Sequence, residues 1–139
     1  MGVTSPVQGI KIGALAARSG LPVKTLRYYE GLGLLPAVNR SPGGYRLFHE
    51  EKSLQRLAFI RRLKALGLTL EEIQACLAPH DAGLLPCHDI QRQLNRQIER
   101  IDERIDELGL LREEIQILLG SWQTAPRQDD AVICPNLQV

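Results

Sequence analysis

Two groups of side chains in this 139-residue sequence are suited to chemistry. One is the thiols of Cys76, Cys87 and Cys134, with the imidazoles of His80 and His88 near the first two. Thiolates bind soft metal ions and undergo reversible oxidation. The other is a band of Lys, Arg and Tyr in which Thr25-Leu26-Arg27-Tyr28-Tyr29-Glu30 is followed by Arg40-Ser41-Pro42-Gly43-Gly44-Tyr45-Arg46. It crowds hydrogen-bond donors into one helical stretch and one Gly-rich hairpin, a layout suited to gripping a phosphate backbone and reaching into a groove. No nucleophile, base and orienting group can be assembled from either set, so an enzyme is not expected.

The charge distribution points the same way. The formal net charge is only +1, yet residues 1–70 hold eleven Lys or Arg against three Asp or Glu, and residues 71–139 hold six against thirteen. A basic half with interleaved tyrosines, joined to an acidic half, is the electrostatic footprint of a nucleic-acid binder with an attached regulatory segment. No apolar run reaches the roughly 18 residues a bilayer requires, and no signal-peptide pattern is seen, so a cytoplasmic protein is expected. An odd number of cysteines in a reducing compartment argues against a disulfide framework.

These residues need elements to position them. Met1 to Ile10 reads as a loose arm. Ile12, Leu15 and Ala16 have helical spacing, and Ser19-Gly20-Leu21-Pro22 breaks that helix. A second helix starts at about Val23, with Leu26 and Tyr29 facing inward and Lys24, Arg27 and Tyr28 outward. Two short helices around a Gly-containing turn make a helix-turn-helix whose second helix enters the major groove. Ala37-Val38 and Tyr45 to Phe48 flank Ser41-Pro42-Gly43-Gly44 as a hairpin, a basic wing beside it. Glu50 to Leu66 reads as a further helix ended by Gly67. Thr69 and Glu72 have capping-box spacing for a short helix to about Leu77, whose buried side carries Cys76.

Ala78 to Pro86, with two prolines and a glycine, reads as a linker. From Asp89 to Leu119 there is no proline, and Ile90, Leu94, Ile98, Ile101, Ile105, Leu108, Leu111, Ile115 and Leu118 follow steps of three and four. A helix of about 31 residues is about 46 Å long, more than a small domain can cover, so its seam calls for a second chain. The tail from Ser121 is rich in Pro, Gln and Asp but carries the apolar run around Cys134. The expected domains are 1–80 for DNA binding, 81–120 for the linker and dimerisation helix, and 121–139 for an effector-binding tail.

Taken together, Lys11-Ile12-Gly13-x-Leu15-Ala16, Thr25-Leu26-Arg27-Tyr28-Tyr29-Glu30, Gly33-Leu34-Leu35, Arg40 with Gly44-Tyr45-Arg46, and Gly67-x-Thr69-Leu70-x-Glu72-Ile73 resemble the MerR family of bacterial transcription regulators. The resemblance covers residues 11 to about 77 and continues through the long helix as similar architecture. It implies a mainly α fold in which winged helix-turn-helix domains lie at the ends of an antiparallel coiled coil in a homodimer. It implies double-stranded promoter DNA and bacterial RNA polymerase as partners, and activation by bending and untwisting an overlong promoter spacer. Such distortion requires firm hold on phosphates either side of the centre. Arg27, Tyr28, Arg40, Tyr45 and Arg46 are the candidates for holding, and Lys24 and Thr25 for base edges.

Cys87 immediately precedes the long helix, where unpaired N–H groups and the positive end of the helix dipole favour the thiolate form that ligates metals. A cysteine there resembles the metal-responsive branch of the family, and Cys134-Pro135 resembles the second cysteine of its metal-binding loop. Antiparallel pairing then brings Cys134 of one chain to Cys87 of the other. Metal-responsive relatives usually carry another cysteine just after the long helix, where this chain has Gly120-Ser121-Trp122-Gln123. Two thiolates bind Hg linearly, whereas Zn, Cd or Pb call for more ligands. His88 is the nearest further candidate, with His80 and Cys76 weaker. The resemblance thus implies a soft divalent metal ion (Zn, Cd, Hg or Pb) as effector. The alternative is thiol redox sensing without metal. The tail of roughly 20 residues is too short to enclose an organic ligand of ordinary size.

Overall fold

The computed structural model describes residues 9–138. The loose arm expected before Ile10 falls mostly on residues 1–8, outside the described ones. Five helices and one hairpin follow: α1 (Ile12–Ser19), α2 (Val23–Gly31), β1 (Asn39–Arg40), β2 (Arg46–Leu47), α3 (Glu50–Ala65), α4 (Leu70–Asp81) and α5 (Cys87–Gly120). They form two compact units, one ending at Asn95 and the other beginning at Arg96. Ile90 and Leu94, in the first turns of α5, pack against the core of the first unit.

In that first unit α1 packs against α2 and α3, and α3 against α4. The core is built from Leu15, Leu26, Leu57, Ile60 and Ile73 on the helices, with Leu34 and Leu35 from the bend after α2 and Phe48 from just beyond β2, among others. β1 and β2 pair antiparallel with Arg40 opposite Arg46. Ile10 adds an isolated antiparallel bridge to Phe48, exchanging two backbone hydrogen bonds of 2.8 Å.

Helix ends explain the connections. Thr69 Oγ1 accepts from the Glu72 N–H at 3.2 Å while Glu72 Oε1 accepts from the Thr69 N–H at 2.9 Å, the reciprocal cap its sequence foretells. α2, α3 and α4 all close alike. Leu34, Leu68 and Leu84 donate back to the carbonyls of Tyr29, Leu63 and Pro79, and the glycine preceding each donates to Glu30, Lys64 and His80. Gly33 and Gly83 take the left-handed conformation this closure needs, at φ +78 and +81.

That closure corrects the expected linker. Rather than ending near Leu77, α4 runs through Pro79 and His80 to Asp81, leaving only residues 82–86 between helices. Pro79 lies in the last turn, so its missing N–H costs one bond, and its own carbonyl accepts from both Ala82 and Leu84.

α5 is 34 residues long, about 51 Å at 1.5 Å per residue. It begins at Cys87, so this cysteine is in the first turn rather than before it. Ile98, Ile101, Ile105, Leu108, Leu111 and Ile115 are all about half exposed, an uncovered apolar seam. No described helix is long and apolar enough to cross a membrane.

Candidate nucleic-acid interface and sensor thiols

α2 separates its side chains as its spacing predicts. Leu26 and Tyr29 are buried, while Lys24, Arg27 and Tyr28 are exposed and Thr25 is half-buried. The two adjacent tyrosines thus differ, at 58% exposure for Tyr28 and 5% for Tyr29. Tyr29 fills the core and its hydroxyl accepts from Lys64 Nζ at 3.4 Å.

The hairpin brings Arg40, Tyr45 and Arg46 to the same face as Arg27, around a concavity that Lys11 also lines. Ser41 organises its tip. The Ser41 carbonyl accepts from the Gly44 N–H at 2.9 Å, and its hydroxyl accepts from the Tyr45 N–H at 3.1 Å. Arg40 Nη1 donates across the tip to the Gly44 carbonyl at 3.3 Å.

Two participants escaped the sequence reading. Lys11 Nζ lies 4.2 Å above the centre of the Tyr45 ring, a cation–π contact that ties the start of α1 to the wing. Glu30, at the end of α2, holds Arg46 Nη1 at 2.9 Å. Lys11 sits in a motif that marks a helix start, and nothing local announces its ring partner, which is 34 positions away. Glu30 is legible only as an acid inside a basic stretch.

A further ion pair joins α3 to the end of α4 in this unit. Arg56 Nη1 and Nη2 donate to the two Asp81 carboxylate oxygens at 2.6 and 3.0 Å, and its Nε donates to the Leu34 carbonyl. The bidentate bond from Arg56 holds the Asp81 carboxyl below its ordinary pKa.

The three thiols have different surroundings. Cys76 is fully buried in α4, and burial, with smaller effects of Asp89 and Glu72, raises its pKa and keeps it a neutral thiol. Cys87 is exposed in the first turn of α5, with His88 exposed beside it. Cys134 is half-buried in the tail of the second unit. Among the described residues no three His, Cys, Asp or Glu side chains lie close enough to hold a metal ion within one chain.

A helix-turn-helix flanked by a basic wing, followed by a long helix with a bare apolar seam, defines a winged helix-turn-helix DNA-binding transcription regulator. The chain belongs to the MerR family: residues 10–78 match the MerR HTH family regulatory proteins, and residues 54–118 match the family's second region, described as MerR, DNA binding. It is 41% identical to a ZntR-homologue HTH-type transcriptional regulator of Haemophilus influenzae over 76% of this chain and 78% of that one. Among solved structures it is similar to the regulator PbrR691 of Ralstonia metallidurans CH34 in complex with lead(II), with 36% identity and a TM-score of 0.74 over 84% of this chain and 91% of that one. It is also similar to MerR of Bacillus megaterium MB1 in complex with mercury(II), at 34% identity and a TM-score of 0.59 over 91% and 95% of the two chains.

Proposed function

We propose that this regulator binds promoter DNA as a homodimer and activates transcription by distorting the spacer when a soft divalent metal ion is held by Cys87 and Cys134. The observation that carries the reading is the placement of the thiols: two reach solvent, one opening the long helix and one in the tail after it, while the third is sealed in the core. The likeness to regulators solved with lead(II) and mercury(II) supports metal as the signal.

In this reading Lys24 and Thr25, early in α2, meet base edges in the major groove, and Arg27, Tyr28, Arg40, Tyr45 and Arg46 hold phosphates. The apolar seam from Ile98 to Ile115 pairs two protomers, antiparallel, so that one protomer supplies Cys87 and the other Cys134 to each ion. When bound, the ion supplies a bridge that fixes the two protomers in one arrangement. The chain's own residues transmit that arrangement to the DNA, presenting a distorted promoter to RNA polymerase.

The test is to titrate the reduced protein with Zn, Cd, Hg, Pb, Cu(I) and Co, and to compare transcription by wild type, Cys87→Ser and Cys134→Ser. Wild type should respond to a soft ion and each variant should lose the response. Metal-independent activation, or an intact response in both variants, overturns the proposal. A response to oxidant lost in either variant replaces metal by thiol redox as the signal.

A further inference from the structure

The tail that carries Cys134 is closed by a side chain. The Asn136 carboxamide pairs with a single backbone residue 13 positions earlier: its Oδ1 accepts from the Gln123 N–H at 2.8 Å and its Nδ2 donates to the Gln123 carbonyl at 3.0 Å. This uses a backbone donor and acceptor as a neighbouring strand would. Gln123 lies just beyond α5, so the pair anchors the far end of the loop to the end of that helix.

A second carboxamide holds the cysteine within the loop. Gln138 Oε1 accepts from the N–H groups of both Ile133 and Cys134, at 2.5 and 3.0 Å. The Cys134 carbonyl in turn accepts from the Leu137 and Gln138 N–H groups at 3.1 and 3.2 Å. The backbone on both sides of the thiol is therefore fixed by hydrogen bonds, although this segment has little apolar packing and Ile133 is 97% exposed.

We infer that Asn136 is the positioning residue of the sensor, closing the Cys134 loop onto Gln123 so that the thiol is presented in place before any ion arrives. This rests on the reading of Cys134 as a sensing thiol. A loop ordered in advance leaves the binding of an ion free of the entropic cost of ordering it, which raises affinity. Without the staple, about 12 residues between Gln123 and Asn136 are released together, and ordering them falls to the ion. The two carboxamides act in sequence along the chain: Asn136 anchors the loop, and Gln138 sets the local turn at the thiol.

The experiment uses the full-length chain and two readouts. Metal-free protein is alkylated with iodoacetamide and the rate at Cys134 is followed by peptide mass spectrometry; Hg(II) affinity is measured by competition with dithiothreitol. Asn136→Ala should raise the alkylation rate of Cys134 several-fold and weaken Hg(II) binding by about tenfold, leaving DNA affinity of the metal-free protein unchanged. Asn136→Asp keeps the acceptor for Gln123 and loses the donor, and should fall between. Gln128→Ala, a carboxamide of the same loop with no such pairing, should match wild type in both. Equal alkylation rates in wild type and Asn136→Ala overturn the inference. If instead Cys134→Ser leaves Hg(II) affinity unchanged, the sensing role of Cys134 fails, and the alkylation rates still report whether Asn136 holds the loop.

Discussion

Arg46 and Glu30 are joined by an ion pair of 2.9 Å, the arginine from the second strand of the wing and the glutamate from the last turn of α2. The pair ties the wing to the end of α2. It also tempers the charge of an otherwise basic face. Glu30→Gln should bind non-specific duplex more tightly, with the salt dependence of log Kobs steeper by up to about one ion, since the charge of Arg46 that Glu30 partly neutralises then acts in full on its phosphate. Preference for the promoter over random DNA should fall. A titration of both duplexes across salt concentrations measures each slope, and unchanged slopes would show that Glu30 does not weaken the hold of Arg46 on phosphate.

The bare seam of α5 gives the second prediction. Ile105 and Leu108 lie at its middle, both about half exposed in the single chain. A charge there, as in Ile105→Glu, should produce monomers at micromolar concentration by sedimentation. Promoter affinity should drop by about a hundredfold or more as two linked grips become independent. The first unit should keep its thermal transition. A dimer that survives the substitution removes the seam as the pairing surface.

Cys76 separates core from sensor. It is fully buried, and burial raises its pKa. Cys76→Ser puts a hydroxyl where a thiol packs and should destabilise the first unit by about 1–3 kcal/mol in denaturant melts. Cys76→Ala should keep the full metal response. Loss of response in a well-folded Cys76→Ala protein would return this thiol to the ligand set.

Asp81 supplies a pH dependence. Its carboxyl is held below the ordinary carboxylate pKa, first by the hydrogen bonds from Arg56 and also by the charges of Arg56 and His80, with burial opposing them. A group with a depressed folded pKa stabilises the fold above its unfolded pKa, and that contribution is lost as pH falls through the folded value. The melting temperature of wild type should therefore exceed that of Asp81→Asn near neutrality, and the two should converge as pH drops below about 4. A constant gap down to strongly acidic pH would rule out this carboxylate as the source.

Much of the first unit is legible in the chain. Leu26 and Tyr29 declare the buried face of α2 by spacing, Thr69 and Glu72 declare the start of α4, and the run from Ile90 declares α5. The end of α4 is not legible from local signals, because Pro79 reads as a breaker until the glycine closure at Gly83 is known to return hydrogen bonds to its carbonyl. Lys11 against Tyr45 and Arg56 against Asp81 escape for a different reason: they join side chains 34 and 25 positions apart, and only the folded backbone sets those distances. Cys87 and Cys134 stand out by residue type. The carboxamides that fix the Cys134 loop do not, since Asn and Gln in a polar tail look like solvated surface until their partners are seen.

The shared closure of α2, α3 and α4 differs in one respect, the fate of its final leucine. Leu34 and Leu68 are buried, so opening those ends exposes apolar surface, whereas Leu84 is 64% exposed and its closure rests on hydrogen bonds alone. Local opening should follow the same order. In hydrogen–deuterium exchange the amides of Gly83 and Leu84 should exchange well before those of Gly33, Leu34, Gly67 and Leu68. The joint leading to Cys87 can then melt and re-form as a local event while the DNA-binding unit stays folded.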